Sequence, residues 1–277
     1  MKKLSLKEIQ QVELNILIEL QKVADKNNIN VLLSYGTLLG AIRHKGFIPW
    51  DDDIDVVVSR PDYYKIIGLF NEGAFPEYIK LISFETHDFG RPFIKLLDTR
   101  TTVKNIGGYL KDNNAASLWI DIFPIDGLPD DYKETEKIYR KSYYMRKMLY
   151  LSNAKMGKGA TPIRAVVKAI VGIYAKTIGS DKWNKQLIEL AKSHSFEDSK
   201  YVGDVVYTFY GIRERMLKED FLRTAKVEFE GHKFDSFENW DEHLSRIYGD
   251  YMTLPPEEKR RTHLIDAWIM DESILNA

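Results

Sequence analysis

Apolar positions along the first half of the chain alternate between helical and strand-like spacing. Ile9, Ile16, Leu20 and Val23 share one helical face, which predicts a helix over residues 6–28. Short apolar runs then predict strands. In chain order these runs are INVLLS (29–34), IDVVVS (54–59), YIKLIS (78–83), FIKLLD (93–98) and SLWIDIF (117–123), the last closed by Pro124. Because helical segments separate the runs, we predict an α/β fold with a mixed sheet.

The second half of the chain has a different texture. Spacing is helical from Tyr132 to about His194, and strand-like runs return at 201–210 and 225–235 before an amphipathic segment at 236–252. We therefore predict a core over residues 1–131. Residues 132–277 form a mostly helical, basic region, with late strands and a helix able to pack back on that core.

Charge is distributed unevenly along the chain. The net charge is −1, yet residues 132–180 contain eleven lysines and arginines against two glutamates, a local charge of +9. This block predicts contact with an anionic surface such as a membrane. Within it, an apolar stripe on one helix is compatible with a membrane interface and equally with a core helix. The stripe consists of Ile163, Val166, Val167, Ile170, Ile173 and Tyr174.

Cysteine is absent from the sequence, so disulfides and thiolate metal sites are excluded. Any metal must take oxygen or imidazole ligands. The N-terminal segment lacks the apolar core of a signal peptide, and no apolar run approaches the length of a membrane span. We expect a cytoplasmic protein that does not cross the membrane, with a place at the inner membrane face if the basic region docks there.

The acidic run in GFIPWDDDIDVVVS (46–59) indicates a cation site. Residues i and i+2 of a strand point the same way, so the carboxylates of Asp53 and Asp55 share a face and can hold one ion. Asp51 and Asp52 precede the strand and are expected to support it. An EF-hand calcium loop is excluded, because that loop needs Gly where this chain has Val56.

A second carboxylate-bearing strand and a glycine turn complete the predicted site. Asp121 is a lone charge in an apolar strand and needs a partner. Gly36 follows a strand and opens a helix, whose N-terminus offers free N–H groups to a phosphate, and Thr37 adds a hydroxyl. Arg43 and Lys45 follow two turns later and are expected to face the acidic run.

Trp50 is a possible contact for a quaternary ammonium group, since aromatic faces attract such cations. A tryptophan beside proline also packs structurally, and both interpretations stay open. Other aromatic residues are equally suited to the contact: Tyr109, Trp119 and Tyr210.

Three segments together resemble the LicD family, which includes bacterial phosphocholine transferases and is similar to the fukutin-type phosphotransferases. They are SYGTLLGAIRHKGFIPWDDDIDVVVSRPDYYKI, WIDIFPIDGLP and IYGDYMTLPPEEKRRTH. The resemblance implies a nucleotidyltransferase-like mixed sheet flanked by helices. By its motifs, Gly36, Thr37, Asp53, Asp55 and Asp121 correspond to functional positions. Thr37 departs from the glycine or serine usual there.

The resemblance implies transfer of phosphocholine from CDP-choline to a sugar hydroxyl of a cell-surface glycan precursor, of teichoic acid or lipopolysaccharide type. Mg²⁺, or alternatively Mn²⁺, would be held by Asp53 and Asp55, with Asp121 as a further ligand or the general base. Gly36, Thr37 and Arg43 would steady the diphosphate. The acceptor is expected to be lipid-linked, which gives a membrane contact a purpose.

Three alternatives are kept. In the first alternative, the donor is another CDP-linked alcohol, such as CDP-ribitol or CDP-glycerol. In the second the chain is a metal-dependent glycosyltransferase, although Gly36, Thr37 and Asp121 argue against that. The third is a polyanion binder using the basic block. It leaves the strand aspartates without a cation, and no nucleic acid is expected because aspartates repel phosphate.

Overall fold

The computed structural model describes residues 1–105, 116–154, 162–260 and 265–276. Its α-helices are α1 (Leu6–Lys26), α2 (Tyr35–His44), α3 (Arg60–Asn71), α4 (Tyr132–Asn153), α5 (Pro162–Ile178), α6 (Ser180–Ala191), α7 (Lys218–Leu222) and α8 (Trp240–Tyr248). Its strands are β1 (Lys2–Lys3), β2 (Leu32–Leu33), β3 (Asp55–Ser59), β4 (Ile79–Ile82), β5 (Ile94–Asp98), β6 (Thr101–Asn105), β7 (Leu118–Leu128), β8 (Tyr201–Gly203), β9 (Met216–Leu217), β10 (Thr224–Phe229), β11 (His232–Phe237) and β12 (Ile265–Ile269).

The main sheet has the strand order β10-β11-β2-β3-β7-β5-β4, with β8 attached to β7 and β9 to β8. The β3–β7 and β11–β2 pairs are parallel, whereas the β2–β3 and β5–β7 pairs are antiparallel. A smaller sheet has the order β1-β12-β6. The predicted α/β fold with a mixed sheet flanked by helices is therefore confirmed.

Helix α1 begins at a capping box, in which Ser5 and Glu8 satisfy each other's backbone N–H groups. Its apolar face is fully buried, for example at Ile16, Leu17 and Leu20. The helix packs against β5 and β7 at the centre of the sheet. The predicted helix is confirmed, and it lies beside β7, the strand that carries Asp121.

Strand β7 continues past Pro124, where the sequence predicts that it ends. Its pairing with β5 stops at Ile122 and its pairing with β8 begins at Asp126, while β3 pairs along the other edge. Proline has no N–H to donate, and here it falls in the gap between two partners. The prediction of a stop at Pro124 was wrong because it ignored how proline is tolerated at an interrupted edge.

The run 201–210 forms a strand only at its start, in β8. Beyond it, side chains take the backbone N–H groups that a ladder would use. Tyr207 N donates to Asp204 Oδ1, and the N–H groups of Phe209 and Tyr210 both donate to Glu214 Oε1. Such local hydrogen bonds compete with sheet formation. The segment is a loop, and it places aromatic side chains beside the site.

Strands that follow residue 131 pair with strands that precede it. β8 lies on β7, β11 lies on β2, and β12 lies between β1 and β6. The long helical stretch predicted from Tyr132 is confirmed as α4, α5 and α6. A domain boundary at 131 stays a prediction. In the ranges that the structure describes, no helix has the length and apolar content needed to span a membrane.

Candidate active site

Three charged side chains form one row across the middle of the sheet. Asp55 on β3 is the register partner of Asp121 on β7, and Asp121 is the register partner of Lys95 on β5. Directly paired residues project from the same face, so the row lies on one side of the sheet. Lys95 Nζ is 2.8 Å from Asp121 Oδ1. The fold thus brings together two aspartates that are 66 positions apart, as the sequence predicts.

The N-terminus of α2 lies beside Asp55, at one end of this row. Asp55 N donates to Thr37 Oγ1 (2.8 Å), and Ser34 N donates to the Asp55 carbonyl oxygen (3.1 Å). A β-carbon at Gly36 would lie 3.0 Å from Asp51 Oδ2. The predicted group of Gly36, Thr37, Asp51 and Asp55 is therefore assembled in one place.

Tyr35 anchors the turn that leads into Gly36. Its φ of 46° is in the left-handed region, which L-residues rarely adopt. Its hydroxyl lies within hydrogen-bond distance of Asp204 Oδ2 (3.1 Å) and of Glu214 Oε2 (2.9 Å). Burial raises the pKa of Glu214 to about 8 and that of Asp204 to about 6. The buried network holds the start of α2 in its strained conformation.

The site carries more negative than positive charge. Burial raises the pKa of Asp55 well above its usual range, and the carboxylates of Asp53 and Asp121 raise it further. Burial also raises the pKa of Asp121, although the Lys95 ammonium opposes this shift. Burial lowers the pKa of Lys95. A cation added here would relieve repulsion between the carboxylates.

These donors suit a hard divalent cation. Carboxylate oxygens are the ligands that Mg²⁺ and Mn²⁺ prefer, and Asp53, Asp55 and Asp121 supply them beside a helix N-terminus. Asp121 is paired with Lys95, and among the described residues no group of three acidic or histidine side chains is already closed around a metal position. Asp53 and Asp55 are the residues that would hold the ion. A cation fits this site because the buried side chains carry an excess of negative charge.

Two residues of the site were missed in the sequence. Lys95 is a charged residue between apolar neighbours in its strand, the same signal that identified Asp121. Glu13 lies on the apolar face of α1 and is only 1% exposed, and its Oε2 has no hydrogen-bond partner among the described residues. Burial raises the pKa of Glu13 well above its usual range, and the carboxylates of Asp53 and Asp52 add to the shift. An acid on an apolar helix stripe was the overlooked signal.

Hydrogen bonds to the backbone at Asp51 hold the start of the acidic run in place. Gln10 Nε2 on α1 donates to the Asp51 carbonyl oxygen (2.8 Å), and Asp51 N donates to the Ile48 carbonyl oxygen (2.8 Å). Asp52 is buried. The predicted supporting roles of Asp51 and Asp52 stay predictions, and Gln10 joins them as the link between α1 and the run.

Arg43 and Lys45 lie at the other end of α2 from Gly36, about 10 Å along the axis at 1.5 Å per residue. The Arg43 guanidinium donates to the Tyr251 carbonyl oxygen (2.8 Å) and to His44 Nε2 (2.9 Å). Lys45 is exposed, and its carbonyl oxygen accepts a hydrogen bond from Glu230 N. The structure does not bring these two residues together with the glycine turn.

The aromatic residues suggested as choline contacts have different surroundings in the structure. The Arg260 guanidinium lies 4.6 Å from the ring centre of Trp50, and the Lys95 ammonium lies 3.9 Å from that of Trp119. Each of those rings therefore has a face covered by a cation of the protein itself. Tyr210 contacts Tyr35, the residue that precedes Gly36. Tyr109 lies outside the described residues.

Comparisons with known proteins show which family the sequence resembles. A family model described as LicD/FKTN/FKRP, nucleotidyltransferase domain, matches residues 28–152, a stretch that includes Gly36, Lys95 and all the aspartates of the row. The lipopolysaccharide cholinephosphotransferase LicD of Haemophilus influenzae is 34% identical over 277 residues, covering 98% of this chain and 100% of that protein. Uncharacterised proteins of Rickettsia prowazekii and Rickettsia typhi are 54% identical over 37 residues, 13% of this chain and 14% and 12% of those proteins.

Proposed function

This chain belongs to the LicD family, and on that premise we propose that it transfers phosphocholine from CDP-choline to a hydroxyl of a cell-surface glycan precursor, with release of CMP. Among its relatives is a lipopolysaccharide cholinephosphotransferase of nearly identical length, so the chain is a transferase. The observation that carries the proposal is the row of Lys95, Asp121 and Asp55 beside the α2 N-terminus. The aspartates of the row would form the cation site, and the N-terminus of α2 beside them would form the phosphate site.

The chemistry follows from these groups. The acceptor oxygen attacks the phosphorus that bears choline, a P–O bond forms, and the bond from that phosphorus to the oxygen of CMP breaks. Asp53 and Asp55 would hold Mg²⁺, and the bound ion would supply positive charge against the negative charge of the departing CMP phosphate. The N–H groups at Gly36 and Thr37 orient the diphosphate.

Asp121 is the proposed general base for the acceptor proton. Its carboxylate lies next to Asp55 in register, and the Lys95 ammonium favours its ionised form. Burial raises its pKa and so strengthens it as a base relative to an exposed aspartate. Both properties support the role. The Lys95 ammonium favours the ionised carboxylate, and burial makes that carboxylate a stronger proton acceptor than an exposed aspartate.

Calorimetry tests the donor without requiring the acceptor. We expect Mg²⁺-dependent binding of CDP-choline to the wild type and none to Asp53→Asn or in EDTA. CDP-ribitol, CDP-glycerol and a nucleotide sugar are the comparison ligands. Preferred binding of a polyol donor would move the proposal to that substrate, and preferred binding of a nucleotide sugar would replace it with glycosyl transfer.

The acceptor is proposed to be a lipid-linked precursor of lipopolysaccharide type, by similarity to the Haemophilus relative and in preference to a teichoic acid. A lipid-linked acceptor requires the enzyme to reach the membrane, and we place it at the cytoplasmic face. The exposed side of α5 supports this: Ile170, Ile173 and Tyr174 have 65%, 55% and 51% of their surface exposed. They lie at i, i+3 and i+4, on one helix face.

Vesicle flotation tests this contact. Apolar side chains on a basic surface bind an interface through burial plus attraction to anionic lipid. The wild type should float with anionic vesicles at low salt, and the double variant Ile170→Ser/Ile173→Ser should float much less. Val171→Ala on the packed side of the same helix is the matched control. Equal flotation of the wild type and the double variant would remove α5 as the contact.

A further inference from the structure

A pocket of about 310 Å³ lies between α4, the turn at residues 91–92 and the loop at 206–209. Three basic side chains line it: Arg91, Arg146 and Lys147. Aromatic rings, among them Tyr207 and Phe209, form much of the remaining wall. The pocket therefore combines positive charge with flat apolar faces, and the mechanism above does not use it.

The positive charge of this pocket is not balanced by ion pairs in the described part of the chain. Among residues 1–105, 116–154, 162–260 and 265–276, no carboxylate lines the pocket, and Arg91, Arg146 and Lys147 take part in no salt bridge. Arg146 Nε has no hydrogen-bond acceptor among these residues. Arg146 does interact electrostatically with Asp204, but that carboxylate is buried and hydrogen-bonded to Tyr207 N. The pocket therefore has positive charge available to bind an anion.

The pocket adjoins the reaction centre through Tyr207. The Tyr207 ring stacks on Phe123 (5.1 Å between centres, 9° between planes) and contacts Phe93 (4.7 Å). Phe123 lies two residues after Asp121, so both project from the same face of β7. Burial raises the pKa of Tyr207, with Arg91 acting against this shift and Asp121 adding to it. Tyr207 thus stands between the basic pocket and the aspartates.

Phe209 forms the second link. Its ring is 56% exposed and lies 5.4 Å from the ring of Tyr35, the residue before Gly36. Glu214 fixes this part of the loop by accepting hydrogen bonds from Phe209 N (2.8 Å) and Tyr210 N (2.6 Å). An exposed aromatic ring held rigidly at a pocket edge is suited to stacking on a ligand.

We propose that this pocket binds the glycan acceptor, with Arg91, Arg146 and Lys147 pairing with its anionic groups and Tyr207 or Phe209 stacking on a sugar ring. The proposal rests on the proposed function. The donor is less suited to the pocket, because its phosphates belong with the cation at Asp53 and Asp55 and its choline would be repelled by three like charges. A polyanionic saccharide satisfies both the cations and the aromatic faces.

The test measures acceptor and donor binding separately, on the full chain, by calorimetry. The acceptor probe is a deacylated lipopolysaccharide oligosaccharide, used as isolated and after phosphatase treatment to distinguish phosphate from carboxylate as the anionic group. The donor probe is CDP-choline with Mg²⁺. Lys147→Glu is the main variant, because Lys147 is exposed and its replacement leaves the core intact. Arg146→Gln is the second, and Lys141→Glu on the exposed side of α4 is the matched control.

We expect Lys147→Glu and Arg146→Gln each to weaken oligosaccharide binding at least about tenfold, as for lost charge-assisted hydrogen bonds, with CDP-choline affinity unchanged. Lys141→Glu should behave as the wild type. Unchanged oligosaccharide affinity in both pocket variants would overturn the proposal, and so would a loss of CDP-choline binding instead. If the wild type binds oligosaccharide through Lys147 but no CDP-choline, the pocket stands and the proposed donor fails.

Discussion

Lys95 Nζ on β5 lies 2.8 Å from Asp121 Oδ1 on β7, and the two residues are direct register partners. Both are almost fully removed from solvent, and the ammonium also lies over the Trp119 ring. A buried ion pair of this kind is costly to break because the remaining charge is stranded. Lys95 therefore fixes both the ionisation and the position of the proposed base.

Replacing Lys95 with Met should lower the free energy of unfolding at neutral pH by about 3–5 kcal/mol, because it strands the Asp121 carboxylate. Urea titration measures this. The loss should shrink at acid pH, where Asp121 takes up a proton. In the double variant Lys95→Met/Asp121→Asn both charges are gone, so most of the stability should return while activity does not. A Lys95→Met protein as stable as the wild type would contradict the pairing.

Gly36→Ala should weaken Mg²⁺-dependent CDP-choline binding by about tenfold, since crowding of this kind costs about 1–3 kcal/mol. The added methyl would meet the Asp51 carboxylate and shift it. Gly68→Ala is the control: a β-carbon there meets nothing within 4 Å inside α3. That change should leave binding intact and raise stability by roughly 0.5–1 kcal/mol. Equal affinities of the two variants would argue against close contact at Gly36.

Glu13→Gln should change how stability depends on pH. The folded-state pKa of Glu13 is raised above its ordinary 4.5, so the folded protein holds a proton that the unfolded chain releases. The stability that this group contributes is complete below pH 4.5 and is lost as pH rises towards the folded pKa. Glutamine has no proton to lose. Relative to Glu13→Gln, the wild type should therefore become less stable from pH 4.5 upward.

Urea unfolding of the two proteins at several pH values, without divalent cations, checks this. The matched variant is Glu8→Gln, at the exposed capping box of the same helix. There the pKa is lowered to about 2, mainly by the Lys2 ammonium, so the stability that Glu8 contributes is complete above pH 4.5 and is lost as pH falls towards 2. Relative to Glu8→Gln, the wild type should therefore keep a constant advantage from pH 4.5 upward. A stability difference between wild type and Glu13→Gln that does not vary with pH would mean that Glu13 is ionised in the folded state.

Mg²⁺ should raise the Tm of the wild type, because a bound cation relieves repulsion among the carboxylates of Asp53, Asp55 and Asp121. At a concentration of 100 Kd such binding adds about 2.7 kcal/mol. Asp55→Asn should lose this response and reduce turnover by roughly 100-fold or more, since even outer partners of a metal contribute roughly 10–100-fold. Thermal shifts with Mg²⁺ and with EDTA measure it. The exposed Glu77→Gln should keep the full response, and a Mg²⁺ shift preserved in Asp55→Asn would remove that residue as a ligand.

The strand aspartates were predictable because their signals are local. Asp121 is flanked by isoleucines in an apolar strand, and Asp53 and Asp55 belong to one short acidic run. The strand predicted for that run begins only at Asp55, so Asp53 lies just before β3, although its carboxylate still acts on Asp55. Lys95 and Glu13 carried comparable signals that were not used. The pocket at Arg91, Arg146 and Lys147 had no such signal, because its residues come from a turn and a helix that are far apart in sequence.

The sequence by itself determined the α/β class, the carboxylate-bearing strands, the glycine turn and the basic block, since periodicity and residue type act over a few neighbouring positions. Only the tertiary structure decided that β5 lies beside β7 and brings Lys95 to Asp121, that α1 buries Glu13 beneath the aspartates, and that α2 separates Arg43 from Gly36. Those arrangements depend on which elements pack together. Packing is set by contacts between segments distant in the chain, which no local pattern encodes.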